Sequence, residues 1–131
     1  MEKRELVSSE LSTPLGVYSQ ATEVTNFNKM VFVSGFTSRD NDGGVIGKGD
    51  IVLQTETILQ NMQHVLAESG GTLADVVKLT VFIRDMEMFK EIHDVRRKYF
   101  QKPYPAASMV EVSRLVDPDH LIEIEAIAVI G

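Results

Sequence analysis

Only two stretches of this chain carry helical periodicity, and strand-like runs lie before, between and after them. Helices can therefore shelter just one face of whatever sheet the strands build. Residues 3–8 and 23–27 read as short strands. Met30–Gly35 is a β-branched and aromatic run ending in glycine, as a buried strand does. After the turn-rich segment from Asp40 to Gly49, Asp50 stands where a helix N-cap belongs. Ile51, Ile58, Met62 and Val65 then share one side, with Leu59 and Leu66 widening the stripe. Gly70-Gly71 supplies the stop, because glycine takes the left-handed conformation without a Cβ penalty. Thr72–Asp75 fits a capping box over a brief turn, and Val76–Ile83 reads as a second buried strand. Asp85 is placed to cap a second helix with Phe89, Ile92, Val95 and Tyr99 along one face, ended by Pro103 and Pro105. Two last strands, about 106–112 and 121–130, flank a turn around Asp117-Pro118.

This order predicts an α+β domain spanning residues 1–131, a mixed β-sheet with two helices packed on one face. On the other face Val110, Val112, Ile122, Ile124 and Ala128 are expected to leave apolar side chains at alternating positions. A bare apolar face of that extent is unusual on a monomer, so assembly through the sheet is expected.

Charge narrows the partners. The net charge is −6 and the pI about 5.0, with Lys and Arg scattered and densest at Arg96-Arg97-Lys98. Nucleic-acid binding needs a basic surface that releases counterions from phosphates, so a nucleic-acid partner is not expected. With no Cys there is no disulfide framework and no thiolate nucleophile. The first residues lack the apolar run of a secretory signal and no stretch approaches a membrane span, so no membrane partner and a cytoplasmic location are expected.

The segment Pro105-Ala106-Ala107-Ser108-Met109-Val110-Glu111-Val112-Ser113-Arg114-Leu115, followed by Ile122-Glu123-Ile124-Glu125-Ala126-Ile127-Ala128, resembles the C-terminal signature of the RidA/YjgF family of reactive-intermediate deaminases. That signature reads P-A-R-S-x-V-E-V-x-R-L and then (V/I)-E-I-E-A-I-A. Further matching segments are Gly16-Val17-Tyr18-Ser19-Gln20-Ala21, Phe32–Gly35, Gly49–Ile51 with Gln54-Thr55, and Val76–Ile83 with Asp85-Met86 and Phe89. The resemblance implies a chorismate-mutase-like homotrimer with ligand clefts between subunits. It also implies cofactor-free hydrolysis of an enamine or imine to a carbonyl compound and ammonia. Ala107 stands where the family's deaminases carry an arginine that grips the substrate carboxylate. An altered substrate range follows, or alternatively a non-catalytic trimer that holds a small metabolite or a protein partner in the same cleft. Arg114 cannot stand in, because the signature has an arginine there as well.

Glu123 and Glu125 share one side of the last strand, since side chains alternate with period two. Carboxylates near apolar neighbours can position water and pass a proton. A solvated strand end or an inter-subunit ion pair is the plainer reading of both, and the family pattern favours catalysis for Glu123, whose counterpart orients the attacking water. Tyr18 follows a tight turn and can wall a pocket with one polar tip, although packing alone also explains it. Ser34 and Gly35 end a strand, where a missing side chain lets a ligand near the backbone; a simple turn is the alternative.

His93 stands where the family often has Asn beside the cleft. It is read as a hydrogen-bond partner, as a group that titrates near neutrality, or as a half-exposed helix histidine. Arg96, three residues on, is the one visible substitute anion anchor, set against the plainer reading of a solvated surface arginine. Met109, where relatives often have Cys or Thr, makes the pocket more apolar.

Other patterns fail. Gly43 lies four residues before Gly47, one short of a P-loop step, and Gly49 replaces its Ser/Thr. Asp40–Gly43 lacks the later ligands of a calcium loop. His64, His93 and His120 show no metal-ligand spacing, so no metal and no cofactor are expected.

Overall fold

The structure, a computed structural model, describes residues Met1–Gly131. Its strands are β1 (Glu2–Leu6), β2 (Ala21–Thr25), β3 (Lys29–Phe36), β4 (Val76–Ile83), β5 (Ala106–Glu111) and β6 (Ile122–Ile130). The helices are α1 (Ile51–Ala67) and α2 (Phe89–Tyr99). Local chemistry sets several of these bounds. The Asp50 carboxylate accepts the Leu53 N–H at 3.0 Å and so starts α1. Past the other end Gly70 takes φ +77°, and the Gly71 N–H returns to the Leu66 carbonyl. Thr72 and Asp75 form the expected capping box over a short 3-10 turn. Asp85 differs from expectation. Its carboxylate caps the 3-10 turn Met86–Met88, which then runs into α2.

Four strands form one mixed sheet in the order β3-β6-β4-β5, parallel only between β4 and β5. β1 and β2 make a separate antiparallel pair. This pair is fastened to the start of β4: the Lys3 ammonium donates to the Ala74 and Val76 carbonyls, and the Thr22 hydroxyl donates to the Val77 carbonyl.

Both helices lie on one face of the large sheet. Ile58, Leu59, Met62 and Leu66 of α1 and Ile92 and Val95 of α2 pack with Leu79, Val81 and Ile83 of β4. Ile122, Ile124, Ala126 and Ala128 join the same core. This corrects the expectation for the uncovered face, since Ile122, Ile124 and Ala128 are fully buried under the helices. They alternate with the two glutamates, and a sheet buries the charge-free set. The uncovered face carries two apolar groups, Met30 and Phe32 of β3 with Ile127 of β6, and Phe82 of β4 with Val110 of β5; Ile127 stands opposite Lys78 and Phe82 opposite Glu123. Phe32 is 70% exposed. Apolar side chains therefore remain there, Val110 as expected and the rest from other residues.

Gln54 ties α1 to two loops. Its amide nitrogen donates to the Gly47 and Asp119 carbonyls and its oxygen accepts the Leu121 N–H. Beside this hub His120 is fully buried, with neither ring nitrogen hydrogen-bonded. Burial first, and then the Arg39 charge, holds its pKa below the ordinary 6.5. The folded protein therefore resists a proton that the unfolded chain accepts. Stability is full above about pH 6.5 and declines as pH falls toward the folded value. The ceiling is about 1.4 kcal/mol for each pH unit between the two pKa values. Thermal melts from pH 7.5 to 5 are expected to show this decline, and His120→Leu to make it shallower. An unchanged slope would assign the acid sensitivity elsewhere.

Candidate active site

The loop before β2 is sewn to the edge strand β5. The Ser19 N–H donates to the Pro105 carbonyl at 3.1 Å, and Ser19 and Ala106 form an isolated parallel bridge. The Ser19 hydroxyl meets the Tyr104 carbonyl and the Glu5 carboxylate. From the helix side, Arg96 Nη2 donates to the Val17 carbonyl at 2.8 Å. Gly16 has no side chain because none fits: a Cβ there would lie 2.6 Å from His93 Nε2.

These contacts enclose a cavity of about 210 Å3 between the loop, α2 and β5. Tyr18, His93, Arg96, Ala107 and Met109 are brought together in its lining. The Tyr18 hydroxyl accepts the Leu15 N–H at 3.3 Å, which folds the loop over the mouth. Leu15, Gly16, Phe89 and Ser108 also line it and were not singled out from sequence as site residues. Phe89 had a visible signal, because it stands four residues before His93 on one helix face. The two rings stack with centroids 4.0 Å apart.

Two readings of α2 need correction. His93 is not half-exposed but 5% exposed, with Nδ1 sealed and unpartnered. Burial and then the neighbouring Arg96 charge depress its pKa, so the ring is neutral at pH 7. Arg96 is not a solvated surface residue but 2% exposed. Burial lowers its pKa to about 10, which leaves it cationic at neutral pH. It is the one charged side chain in the lining.

Ser34, Gly35 and Glu123 lie elsewhere. Glu123 of β6 pairs with Phe82 of β4, which pairs with Val110 of β5, all on the uncovered face. Ala107 pairs with Leu79 and Met109 with Val81, both core residues of the helix-covered face. Two strand spacings, roughly 10 Å, and the thickness of the sheet separate Glu123 from the cavity wall. β3 breaks register between Val33 and Phe36, and the irregularity sets Gly35 against Glu123. A Cβ at position 35 would stand 2.8 Å from Glu123 Cδ, so a side chain there would push this carboxylate from its place. Glu123 has no ion-pair partner. One protomer thus presents a cavity with a cation on one side and an unpaired carboxylate on the other. Nowhere do three His, Asp or Glu side chains converge as metal ligands would.

Residues 9–130 match the family model described as endoribonuclease L-PSP. This chain belongs to the RidA/YjgF family. A RutC family protein of Pyrococcus abyssi is 43% identical over 128 residues, covering 98% of each chain. The 3-aminoacrylate deaminase RutC of Acinetobacter baylyi is 36% identical over 128 residues, with 98% of each chain covered. A 2-iminobutanoate/2-iminopropanoate deaminase of Dermatophagoides farinae is 36% identical over 131 residues, covering 99% of each. Among solved structures, a member of the conserved Rid protein family from Yersinia pestis superposes with a TM-score of 0.89. It is 27% identical and covers 99% of this chain and 100% of that one. The segments that resemble the RidA/YjgF signature fall in two places. Gly16–Ala21 and Pro105–Met109 supply Gly16, Tyr18, Ala107, Ser108 and Met109 to the cavity, while Phe32–Gly35 and Ile122–Ala126 lie in strands β3 and β6, where Gly35 meets Glu123.

Proposed function

We propose that this RidA/YjgF protein hydrolyses an enamine or imine to a carbonyl compound and ammonia in clefts between the protomers of a homotrimer. Its substrate range differs from that of relatives with arginine at the position of Ala107. The observation that carries this reading is the separation of Glu123 from the cavity. A carboxylate and a binding pocket on opposite sheet faces can meet only when a second copy brings its uncovered face to the cavity of the first. The apolar side chains of that face give the copies a reason to associate.

The chemistry suits these groups. Protonated at nitrogen, an imine has an electrophilic carbon, and an enamine reaches the same state by protonation at its β-carbon. Glu123 takes a proton from water as the water oxygen bonds to the imine carbon. The resulting carbinolamine loses its C–N bond as nitrogen receives a proton and the oxygen gives one up, so ammonia leaves and a C=O remains. No redox step enters. Positioning of water and carbon supplies much of the rate. Two relatives at equal identity are named for different substrates, which supports variation of substrate within this one reaction type. The acidic net charge counts against nucleic acid as the ligand, whatever the family model's description.

A second reading is favoured by one feature: the cavity of a single protomer contains no acid or base beyond neutral His93 and the Tyr18 phenol. A non-catalytic trimer would hold a metabolite there without turning it over. Ammonia release from a panel of freshly generated imines separates the readings. Hydrolysis above the buffer rate for at least one imine supports the enzyme. No turnover of any imine, with ligand-dependent stabilisation retained, supports the binder.

A further inference from the structure

Arg96 is an expensive residue for a merely structural task. It lies in the last turn of α2, and its side chain donates to the Val17 carbonyl of the loop before β2. Of the five N–H groups of a guanidinium, one has a protein acceptor, Nη2 to Val17. Nε is sealed from solvent with no partner. No carboxylate comes within ion-pair distance, whereas Arg4, Arg97, Lys48 and Lys90 each have one. A buried, uncompensated cation costs several kcal/mol in real proteins, and a tether to one neutral carbonyl does not need it. Within one protomer the counter-charge is missing, and a ligand carboxylate has a place to enter, because Arg96 lines the cavity and nothing else in that protomer's lining is charged.

We propose that Arg96 is the anion anchor of this cavity, gripping the carboxylate of a small monoanionic acid from the α2 side rather than from strand β5. The acid's apolar body lies along Ala107, Met109 and Phe89, where an arginine on β5 would otherwise stand. Neutral His93, held by its stack on Phe89, completes the polar end. A single cation selects one carboxylate; a dianion leaves its second charge against apolar walls. The inference rests on reading the cavity as the ligand site and deepens the proposed function by naming the ligand class, a monocarboxylic imine or its keto acid.

Binding, not turnover, tests it. Calorimetry on the assembled protein uses 2-oxobutyrate and its neutral isostere 2-oxobutanamide as probes, with Arg96→Gln and Arg96→Lys beside the unaltered chain. The expected result is that the acid binds the unaltered protein at least about 30-fold more tightly than the amide, and that Arg96→Gln removes this preference. Arg96→Lys is expected to keep a reduced preference, since the charge remains while the fork geometry is lost. Equal binding of acid and amide by the unaltered protein, or no binding of the acid at millimolar concentration, overturns the proposal. So does an Arg96→Gln protein of unchanged mass and circular dichroism that still prefers the acid. Should Arg96→Gln not fold, the lysine variant decides: equal affinity for the two probes overturns the anchor. These outcomes are independent of catalysis, so an anchored acid that is never hydrolysed sinks the deaminase reading alone.

Discussion

Glu123→Gln is expected to lower kcat/KM for the best imine substrate by about 10^2- to 10^4-fold, the range over which a positioned proton-transfer group contributes. Glutamine keeps the shape that lies against Gly35 and breaks no ion pair within the protomer, where Glu123 has none. The melting temperature and the assembly state should therefore stay within experimental error of the parent protein. Affinity for a keto-acid product should also hold, because Arg96, proposed above to hold its carboxylate, is unaltered. Loss of rate without loss of binding is the signature of a group used in the chemical step. A Glu123→Gln protein that turns over imines at the parent rate would remove this carboxylate from the mechanism and the proposed reaction with it.

Phe32→Asp is expected to act at a distance from every reacting atom and still abolish activity. Phe32 sits on the edge strand β3 of the uncovered face, beside Ile127 of β6. Burying a carboxylate there in each copy costs several kcal/mol per contact, enough to dissociate an assembly at micromolar concentration. The fold of the protomer should survive, since Phe32 contributes nothing to the core beneath the helices. Light scattering should then give one chain mass, about 14.6 kDa, and ammonia release should fall to the buffer rate. An unchanged mass for Phe32→Asp would mean that the copies associate through another surface, and the split-site reading would fall.

How far these features could be read from sequence depended on whether they were local. The Asp50 cap, the Thr72 capping box and the bounds of β4 rest on residues within a few positions of each other, and the structure repeats them. Pairings between distant segments were not legible. Nothing in residues 2–6 says that they pair with residues 21–25 and stand apart from the main sheet. In β6 the alternation was readable, but its orientation was assigned wrongly, although Glu123 and Glu125 on one side mark that side as uncovered. On α2, Ile92, His93, Val95 and Arg96 form one continuous buried arc. Sequence rules send an arginine to solvent, and only the loop carrying Val17, 79 residues away in the chain, reveals why this one stays inside. The resemblance to RidA/YjgF proteins pointed to the segments that carry the cavity and Glu123. That these occupy opposite sheet faces of one chain required coordinates.

The seam between Ser19 and Pro105 has a consequence for motion. The cavity's outer wall is a short N-terminal segment pinned by a few hydrogen bonds, while its inner wall belongs to the helix-covered core. Opening the seam would dismantle the pocket and leave the core untouched, a partial unfolding far less costly than the global one. Occupancy of the pocket should accordingly be written in the exchange rates of the backbone amides from Gly16 to Ala21, which would slow as a ligand clasps loop and helix together.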